Sequence, residues 1–283
     1  MDREIQAIEP KTSTQKNELR LRVIYAFVMM GGGIFAAIAG GLAWALAGGF
    51  VMAVIANEWA GMSNASKQMQ LGVTIFSAIF GFAFVYGSNE IKIIALILFI
   101  AAMAISSRKG GNIAIIGSIY LGLCGFAFAS LRAHPENGIL YIFGLFSVVW
   151  ATDSAAYAFG RFFKGPKLMP IISPNKTWTG FIGGTLCGMF AASLYSVLAN
   201  LFINPDDLLK TIIPWTFVGL VLTLASQLGD LLESWVKRHF GVKDTSNLIP
   251  GHGGILDRLD GHLCAALTLA IILAIPRLAE SLT

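Results

Sequence analysis

Long stretches without a single charge limit what this chain can fold into more than any other feature of its sequence. Between Val23 and Ala56 no Asp, Glu, Lys or Arg occurs. One membrane-spanning helix needs about 20 apolar residues, so this stretch fits a hairpin of two helices, with glycine pairs at 40–41 and 48–49 as places for the turn. Only 13% of all residues are charged, about half the share in a typical soluble domain. The chain is therefore expected to be a polytopic helical membrane protein.

Further apolar stretches follow at intervals along the rest of the chain, and each can form one spanning helix. They cover residues 71–86, 91–105, 112–131, 138–159, 177–202, 212–235 and 255–275. We predict an all-α integral membrane protein with about nine transmembrane helices. Counts of eight or ten remain open, because the first hairpin and the span that begins at Ile91 are the least clearly bounded.

The positive charges lie mostly in alternate connections between these stretches. Sixteen of the 20 Lys and Arg residues fall within 1–22, 57–70, 106–111, 160–176 and 236–261. Lys and Arg are enriched in cytoplasmic loops of membrane proteins, so the N-terminus and these segments are expected in the cytoplasm. The same distribution explains the net charge of +4 without a nucleic-acid partner. The first apolar stretch lacks a small-residue cleavage site, which argues against a cleaved signal peptide.

Two inside segments, 160–178 and 229–261, differ from the other connections in their density of polar side chains. Together they hold eight of the 20 Lys and Arg residues, and both are predicted to open onto the same membrane surface. Within the second segment, Asp230 and Glu233 lie three positions apart and share a helix face. For Glu233, a salt bridge to Lys237 four positions on is an equally open explanation.

Asp257 and Asp260 have the same spacing at the start of the last predicted span, which is expected to begin near Ile255. Carboxylates at membrane depth are costly and usually functional, and converging carboxylates repel one another unless a cation lies among them. Oxygen ligands suit Mg²⁺, as one or two ions. The candidate metal ligands are Asp230, Asp244, Asp257 and Asp260. The alternative is salt bridging, for example between Asp257 and Arg258.

Cations surround these acids in the sequence. Lys237, Arg238, Lys243 and Arg258 can neutralise phosphate oxygens, which makes them candidate catalytic residues. For Lys237 and Arg238, an anchoring role at the end of a membrane helix is the open alternative.

The segment 250–254 is rich in glycine. The backbone N–H groups of Gly253 and Gly254 could approach a phosphate closely, although the chain contains no Walker motif. His252 could contact phosphate or act as a catalytic acid or base, and a hydrogen-bonded structural role is equally open for it.

The other inside segment offers candidates as well. Ser173 and Lys176 could reach a substrate phosphate at the membrane surface, but helix capping is the alternative for Ser173 and for Thr177. Asp153 lies in an apolar span one helical turn before Tyr157. An acid in such a place is a functional candidate by default, with a buried hydrogen bond to a neighbour as its rival.

The polar residues of the second segment form a known pattern. They read Ser, Lys-Arg, Lys-Asp, His-Gly-Gly, Asp-Arg and Asp, at positions 234, 237–238, 243–244, 252–254, 257–258 and 260. This pattern resembles the signature of the phosphatidate cytidylyltransferases, also called CDP-diglyceride synthetases. Similar to the family's other motif are Asp153, Tyr157, Gly160-Arg161 and the run from Ser173 to Thr177. Glu58-Trp59 is also similar, and the resemblance is specific over about the last 130 residues.

The resemblance implies that the chain transfers a cytidylyl group from CTP to phosphatidic acid, in phospholipid synthesis, as an all-helical and Mg²⁺-dependent homodimer. It also places Ser234 in the substrate site. We therefore expect one catalytic transmembrane domain, 23–283, after a polar cytoplasmic segment, 1–22, in a bacterial inner membrane with the site on the cytoplasmic side. Two departures, Thr179 where the family commonly has Glu and Gly261 where Ser is common, leave the candidate metal ligands in place.

Two other functions stay open at this point. A related CTP-using lipid enzyme, such as a CDP-archaeol synthase or a polyprenol kinase, would share part of the pattern. A transporter with ion-binding acids would hold them near the middle of the bilayer, whereas the acids of this chain cluster toward the inside surface. Membrane lipids are partners in every case.

Overall fold

Helices make up almost all of the computed structural model, which describes residues 13–203, 208–248 and 253–275. The helices are α1 Ser13–Ala39, α2 Gly41–Met62, α3 Lys67–Tyr86, α4 Asn89–Ser107, α5 Gly111–Arg132, α6 Gly138–Phe163, α7 Trp178–Ile203, α8 Leu208–His239 and α9 Leu256–Leu273. The predicted all-α fold is confirmed, and each predicted span overlaps one of these helices. Helix α9 begins where expected, so that Asp257 and Asp260 lie in its first turns.

Length and apolarity qualify most of the helices to cross a membrane. Six segments of the described chain do so, namely α2, α3, the α4–α5 pair as one segment, α6, and most of α7 and of α8. The described apolar part of α1, Ile24–Ala39, is shorter, and α9 begins with charged residues. The chain is therefore an integral membrane protein, while the count of nine spans stays a prediction.

Large apolar side chains on the outer faces of the helices fit a lipid environment. More than half of the surface is exposed for Phe35, Ile79, Ile97, Phe190 and Phe217, which lie on five different helices. A continuous apolar surface of this kind is unusual on a soluble monomer. Lipid tails, by contrast, are as apolar as these side chains.

The break between α1 and α2 falls at the first of the two predicted glycine pairs. Gly40 and Gly41 have φ angles of 61° and 43°, a region that glycine enters without steric penalty. Arg132, the last residue of α5, donates a hydrogen bond from Nε to the carbonyl of Ala37 at 2.6 Å. The arginine thus satisfies a backbone group that the end of α1 leaves without a helical partner.

Small residues bring α6, α7 and α8 into close contact around the polar end of the bundle. Gly180, Gly184 and Gly188 recur every fourth residue on α7, and a side chain at any of them would press against α6 or α8. This spacing allows close approach of helices in membranes. The packing brings Asp153 of α6 within electrostatic reach of Asp230 of α8.

Helix α9 packs against α2, α5, α6 and α8. Its buried residues join two apolar clusters: Leu256 and Leu263 pack with side chains of α2 to α5, and Ala265 and Leu269 pack with those of α6 and α8. Each Å² of apolar surface removed from water contributes about 25 cal/mol. The acids in the first turns of α9 are therefore carried by a firmly packed helix.

The segment 160–178 is more regular than the sequence suggested. Helix α6 runs on to Phe163, and an antiparallel hairpin of β1 (Lys167–Met169) and β2 (Ser173–Thr177) leads to α7. Prolines at 166, 170 and 174 interrupt this stretch, and proline is unfavourable inside a helix.

The structure of this hairpin tests the helix-capping alternative for Ser173 and Thr177. Thr177 Oγ1 accepts a hydrogen bond from the N–H of Gly180 at 3.1 Å, so its capping role at the start of α7 is confirmed. Ser173 pairs with Met169 in the hairpin, so the capping alternative for Ser173 is wrong.

Candidate active site

A cavity of about 1730 Å³ extends from the apolar interior of the bundle to its polar end. Its apolar part is lined by Trp44, Phe80, Phe84, Phe128 and Phe146. Its polar part contains most of the residues that the sequence predicted: Asp153, Ser173, Lys176, Asp230, Lys237, Arg238, Lys243, Asp244, Asp257, Arg258 and Asp260. The cavity can therefore hold a molecule that has an apolar portion and a charged portion.

Three acids from three helices face this cavity together, and we call them the cavity acids. Asp153 on α6, Asp230 on α8 and Asp260 on α9 line the cavity and interact electrostatically with one another. Lys176 of β2 lies beside them, with its Nζ 2.5 Å from Asp230 Oδ2. The N–H of Gly261 donates to Asp260 Oδ1 at 2.9 Å. The three cavity acids therefore lie together at the polar part of the cavity, with Lys176 as a neighbouring cation.

Asp257, one turn before Asp260 on α9, has a different environment. Its Oδ1 accepts a hydrogen bond from Lys237 Nζ at 2.6 Å. Its Oδ2 accepts from the N–H and the hydroxyl of Thr245, both at 2.9 Å, and from the N–H of Gly254 at 2.7 Å. Three of these donors meet at Oδ2, which has no lone pair left for another ligand, whereas Oδ1 accepts only from Lys237 among the described residues.

Lys237 is shared between two carboxylates. Its Nζ also lies 2.6 Å from Glu233 Oε2, one turn back on α8. The salt bridge that the sequence left open for Glu233 is therefore present. Asp257 pairs with Lys237, and the side chain of Arg258 is exposed at the polar end of the cavity.

Glu58 of α2 is buried against the start of α9, with 4% of its surface exposed. Its Oε1 accepts hydrogen bonds from the hydroxyl of Ser246 at 2.7 Å and from the N–H of Ile255 at 3.0 Å. Its Oε2 accepts from the hydroxyl of Thr245 at 3.1 Å and from the N–H of Leu256 at 2.9 Å. We call Glu58 and Asp257 the clamped acids, because four protein donors surround each of them.

Arg238, Lys243 and Asp244 are exposed at the polar end of the cavity, as is Arg258. Arg238 donates from Nη1 to the carbonyl of Val242 at 3.2 Å, so it also holds the chain where α8 ends. Their places in the cavity suit the neutralisation of phosphate, and their direct roles in catalysis stay predictions.

Ser234, Gly253 and Gly254 do not line the cavity within the part of the chain that the structure describes. The N–H of Gly254 is engaged by Asp257, and a side chain at position 254 would press on Glu58 and Thr245. Phosphate contact at either glycine stays a prediction, as does the role of Ser234. His252 lies outside the described residues.

The acids have the donor chemistry of a Mg²⁺ site, because hard cations prefer carboxylate oxygens. Within residues 13–203, 208–248 and 253–275, no three Asp, Glu, His or Cys side chains converge closely enough to hold a metal ion. The ammonium group of Lys176 lies against Asp230, and Asp257 already accepts hydrogen bonds from protein donors at both oxygens. All the predicted ligands have the same donor type, and Asp230 and Asp260 are the two that lie beside other carboxylates at the cavity.

Sequence reasoning left several residues out of the site. Arg161, Lys164 and Lys167 line the polar part of the cavity, and the available signal was their position in the same inside segment as Lys176. For Glu58, the signals were its place just after a long uncharged stretch and the similarity of Glu58-Trp59 to the family. Its hydrogen-bond partners could not be found from the sequence, because they lie 187 to 198 positions away.

Fold and site together define a class of protein. An all-helical membrane protein whose cavity joins an aromatic groove to a cluster of acids and cations is suited to an amphipathic ligand that carries phosphate. Comparison with known proteins gives the family. The cytidylyltransferase family profile matches residues 20–276, and this chain belongs to that family. It is therefore a nucleotidyltransferase enzyme.

Three relatives show the degree of similarity. The phosphatidate cytidylyltransferase of Brucella suis biovar 1 (strain 1330) is 38% identical over 230 residues, which cover 77% of this chain and 79% of the relative. That of Bacillus subtilis (strain 168) is 42% identical over 160 residues, or 56% of this chain and 57% of the relative. That of Staphylococcus epidermidis (strain ATCC 12228 / FDA PCI 1200) is 44% identical over 149 residues, or 53% of this chain and 55% of the relative.

Proposed function

We propose that this enzyme transfers the cytidylyl group of CTP to phosphatidic acid, which yields CDP-diacylglycerol and pyrophosphate. The observation that carries the proposal is the cavity, because its two parts match the two kinds of chemistry in these substrates. Acyl chains suit the groove lined by Trp44, Phe80 and Phe84, and phosphates suit the charged end. The relatives described above are phosphatidate cytidylyltransferases, which supports the same reaction.

The proposed reaction brings two polyanions together. A phosphate oxygen of phosphatidic acid attacks the α-phosphorus of CTP and a new P–O bond forms. The bond from the α-phosphorus to the oxygen that bridges to the β-phosphate breaks, and pyrophosphate leaves with the electron pair. The attacking oxygen already carries negative charge near neutral pH, so the protein needs no nucleophile of its own. Its contribution is positioning and charge neutralisation.

Cations from both inside segments provide this neutralisation in the proposal. Lys243 and Arg258, exposed at the polar end of the cavity, are assigned to the triphosphate together with Arg238. Ser173 and Lys176 of the β hairpin, next to the cavity acids, are assigned to the phosphate of the lipid.

The activity is further proposed to depend on Mg²⁺, as one or two ions. When bound, Mg²⁺ neutralises phosphate charge and orients the reacting oxygens. Asp230 and Asp260 would hold it, since both line the cavity and interact electrostatically with each other, and Lys176 would then pair with phosphate instead of Asp230. Asp244, exposed at the polar end of the cavity, and Asp257 are the other predicted ligands. Asp257 would offer Oδ1, because Oδ2 already accepts from three protein donors.

The proposal places the site on the cytoplasmic side of a bacterial inner membrane, with the N-terminus inside. The positive-inside distribution of Lys and Arg supports this orientation, and the bacterial relatives support the kind of membrane. A homodimer is proposed on the resemblance alone.

The test uses purified enzyme in detergent micelles with phosphatidic acid, Mg²⁺ and CTP that is labelled either at the α-phosphorus or at the γ-phosphorus. The α-label should enter the lipid fraction while the γ-label is released as pyrophosphate. Transfer of the γ-label to a polyprenol would instead identify a kinase. Transfer of the α-label to archaetidic acid but not to phosphatidic acid would identify a CDP-archaeol synthase, and no transfer in any arm would refute the proposal.

A further inference from the structure

We propose that Glu58 is a positioning residue of the cytidylyl-transfer site, a role that rests on the proposed function. Its carboxylate joins the chain after α8 to the start of α9 and thereby fixes Asp257 and Lys237 with respect to the cavity. Glu58 does not itself line the cavity in the described structure. It therefore acts through the residues that it binds and not on the substrate.

Glu58 binds both ends of the connection between α8 and α9. Thr245 and Ser246 donate to it from the first end, and the N–H groups of Ile255 and Leu256 donate from the second. One side chain from a distant helix thus closes this connection across its two ends. Losing that side chain would remove the hydrogen bonds that tie both ends to α2.

A carboxylate suits this place for two reasons. The first N–H groups of a helix have no partner within the helix, and Ile255 at the start of α9 has no side chain that can supply one. Glu58 supplies the acceptor from another helix, and its negative charge is favourable at a helix N-terminus. In addition, two oxygens serve four donors, which an amide cannot do, because an amide replaces one acceptor oxygen with a donor group.

The link from Glu58 to the site passes through Thr245. The hydroxyl of Thr245 lies 3.1 Å from Glu58 Oε2 and 2.9 Å from Asp257 Oδ2. A hydroxyl has one hydrogen to donate, so the two carboxylates share it. A displacement of one carboxylate therefore changes the hydrogen bond to the other. Asp257 in turn binds Lys237, which lines the cavity. A change at Glu58 should therefore reach Lys237 without direct contact.

The test is Glu58→Gln, which keeps the size of the side chain but turns one acceptor into a donor. We expect kcat/KM for CTP to fall about 10- to 100-fold, as for other residues that orient a ligand-binding side chain, mostly through kcat. Hydrogen exchange should accelerate at the amides of Ile255 and Leu256, which Glu58 binds.

Asn57→Ala is the matched control. Asn57 precedes Glu58 on α2 and donates to Thr74 Oγ1 of α3 at 2.9 Å, away from the site. This variant should keep kcat/KM within about twofold and leave exchange at 255–256 unchanged, since an exposed or partly buried hydrogen bond contributes only about 1 kcal/mol.

The outcomes separate the two proposals. Glu58→Gln with normal kcat/KM would overturn the positioning role, and so would faster exchange across the whole chain with a kcat per folded molecule equal to that of the unchanged enzyme. If the unchanged enzyme transfers no cytidylyl group to phosphatidic acid, the proposed function fails. In that case, locally faster exchange at 255–256 in Glu58→Gln would still demonstrate the link between α2 and α9, while unchanged exchange would remove it.

Discussion

The clamped acids and the cavity acids are the same kind of residue in opposite surroundings. Asp257 and Asp260 stand one turn apart on α9, yet four protein donors surround the first, whereas the second shares its side of the cavity with Asp153 and Asp230. A carboxylate whose lone pairs are used by the protein holds structure together. A carboxylate whose neighbours are other carboxylates stores repulsion that a cation can relieve.

This difference indicates two roles within one site, one structural and one catalytic. Glu58 and Asp257 fix the relative positions of α2, α8 and α9 through Thr245 and Lys237. The cavity acids come from α6, α8 and α9 and face the place where substrate phosphates are proposed to lie. Substitutions in the two groups should therefore separate stability from catalysis, and the following predictions test that separation.

The largest effect is expected at a cavity acid. Asp260→Asn keeps the size of the side chain and removes its charge, so it should lower kcat by about 100- to 1000-fold, the range seen when one electrostatic contact to the reacting groups is removed. The unfolding midpoint without Mg²⁺ should hold or rise, because repulsion with Asp153 and Asp230 is relieved. Initial rates and thermal unfolding, with and without Mg²⁺, measure both. A normal rate together with unchanged Mg²⁺ stabilisation would exclude Asp260 from the cation site.

The second-largest effect is expected at a clamped acid, where the substitution should lower stability more than activity. Asp257→Asn places an amide among four donors and leaves Lys237 with Glu233 alone, in a place where the side chain of Asp257 is 4% exposed. The free energy of unfolding should drop by about 3 kcal/mol. Activity per folded molecule should fall less than in Asp260→Asn. Denaturant unfolding in the same detergent compares the two variants, and equal stability losses would end the distinction between the two groups.

The same acids show how much of the fold and of the site could be predicted from the sequence. The charge-free stretches predicted where the helices lie, and the spacing from Glu233 to Lys237 offered, as one of two open explanations, a pair that is present. The sequence could not tell Asp257 from Asp260, because both have the same helical spacing and the donors of Asp257 come from other elements. Nor could it foresee the hairpin of β1 and β2, since the strands are short and, within the part of the chain that the structure describes, pair with each other alone.

A smaller effect is expected at the exposed cations of the polar end. Lys243→Ala and Arg258→Ala should each raise KM for CTP about tenfold, the cost of about 1.4 kcal/mol in binding, and leave the folded fraction unchanged. The physical reason is the loss of one charge-assisted contact to phosphate. Steady-state kinetics at fixed phosphatidic acid give the numbers. Unaltered CTP kinetics in both variants would show that neither residue belongs to the nucleotide site.

The smallest effect on stability is expected for the ion pair of a cavity acid. Lys176 and Asp230 are close, but their side chains are 24% and 40% exposed, and ion pairs that solvent can reach contribute about 0–1 kcal/mol. Lys176→Met, which keeps the length of the side chain, should therefore lower the free energy of unfolding by less than about 1 kcal/mol, against the loss of about 3 kcal/mol expected for Asp257→Asn. Lys176→Arg serves as the charge-preserving control in the same denaturant titration. A loss in Lys176→Met as large as in Asp257→Asn would mean that Asp230 is held as firmly as the clamped acids, and that its oxygens are not available to a cation.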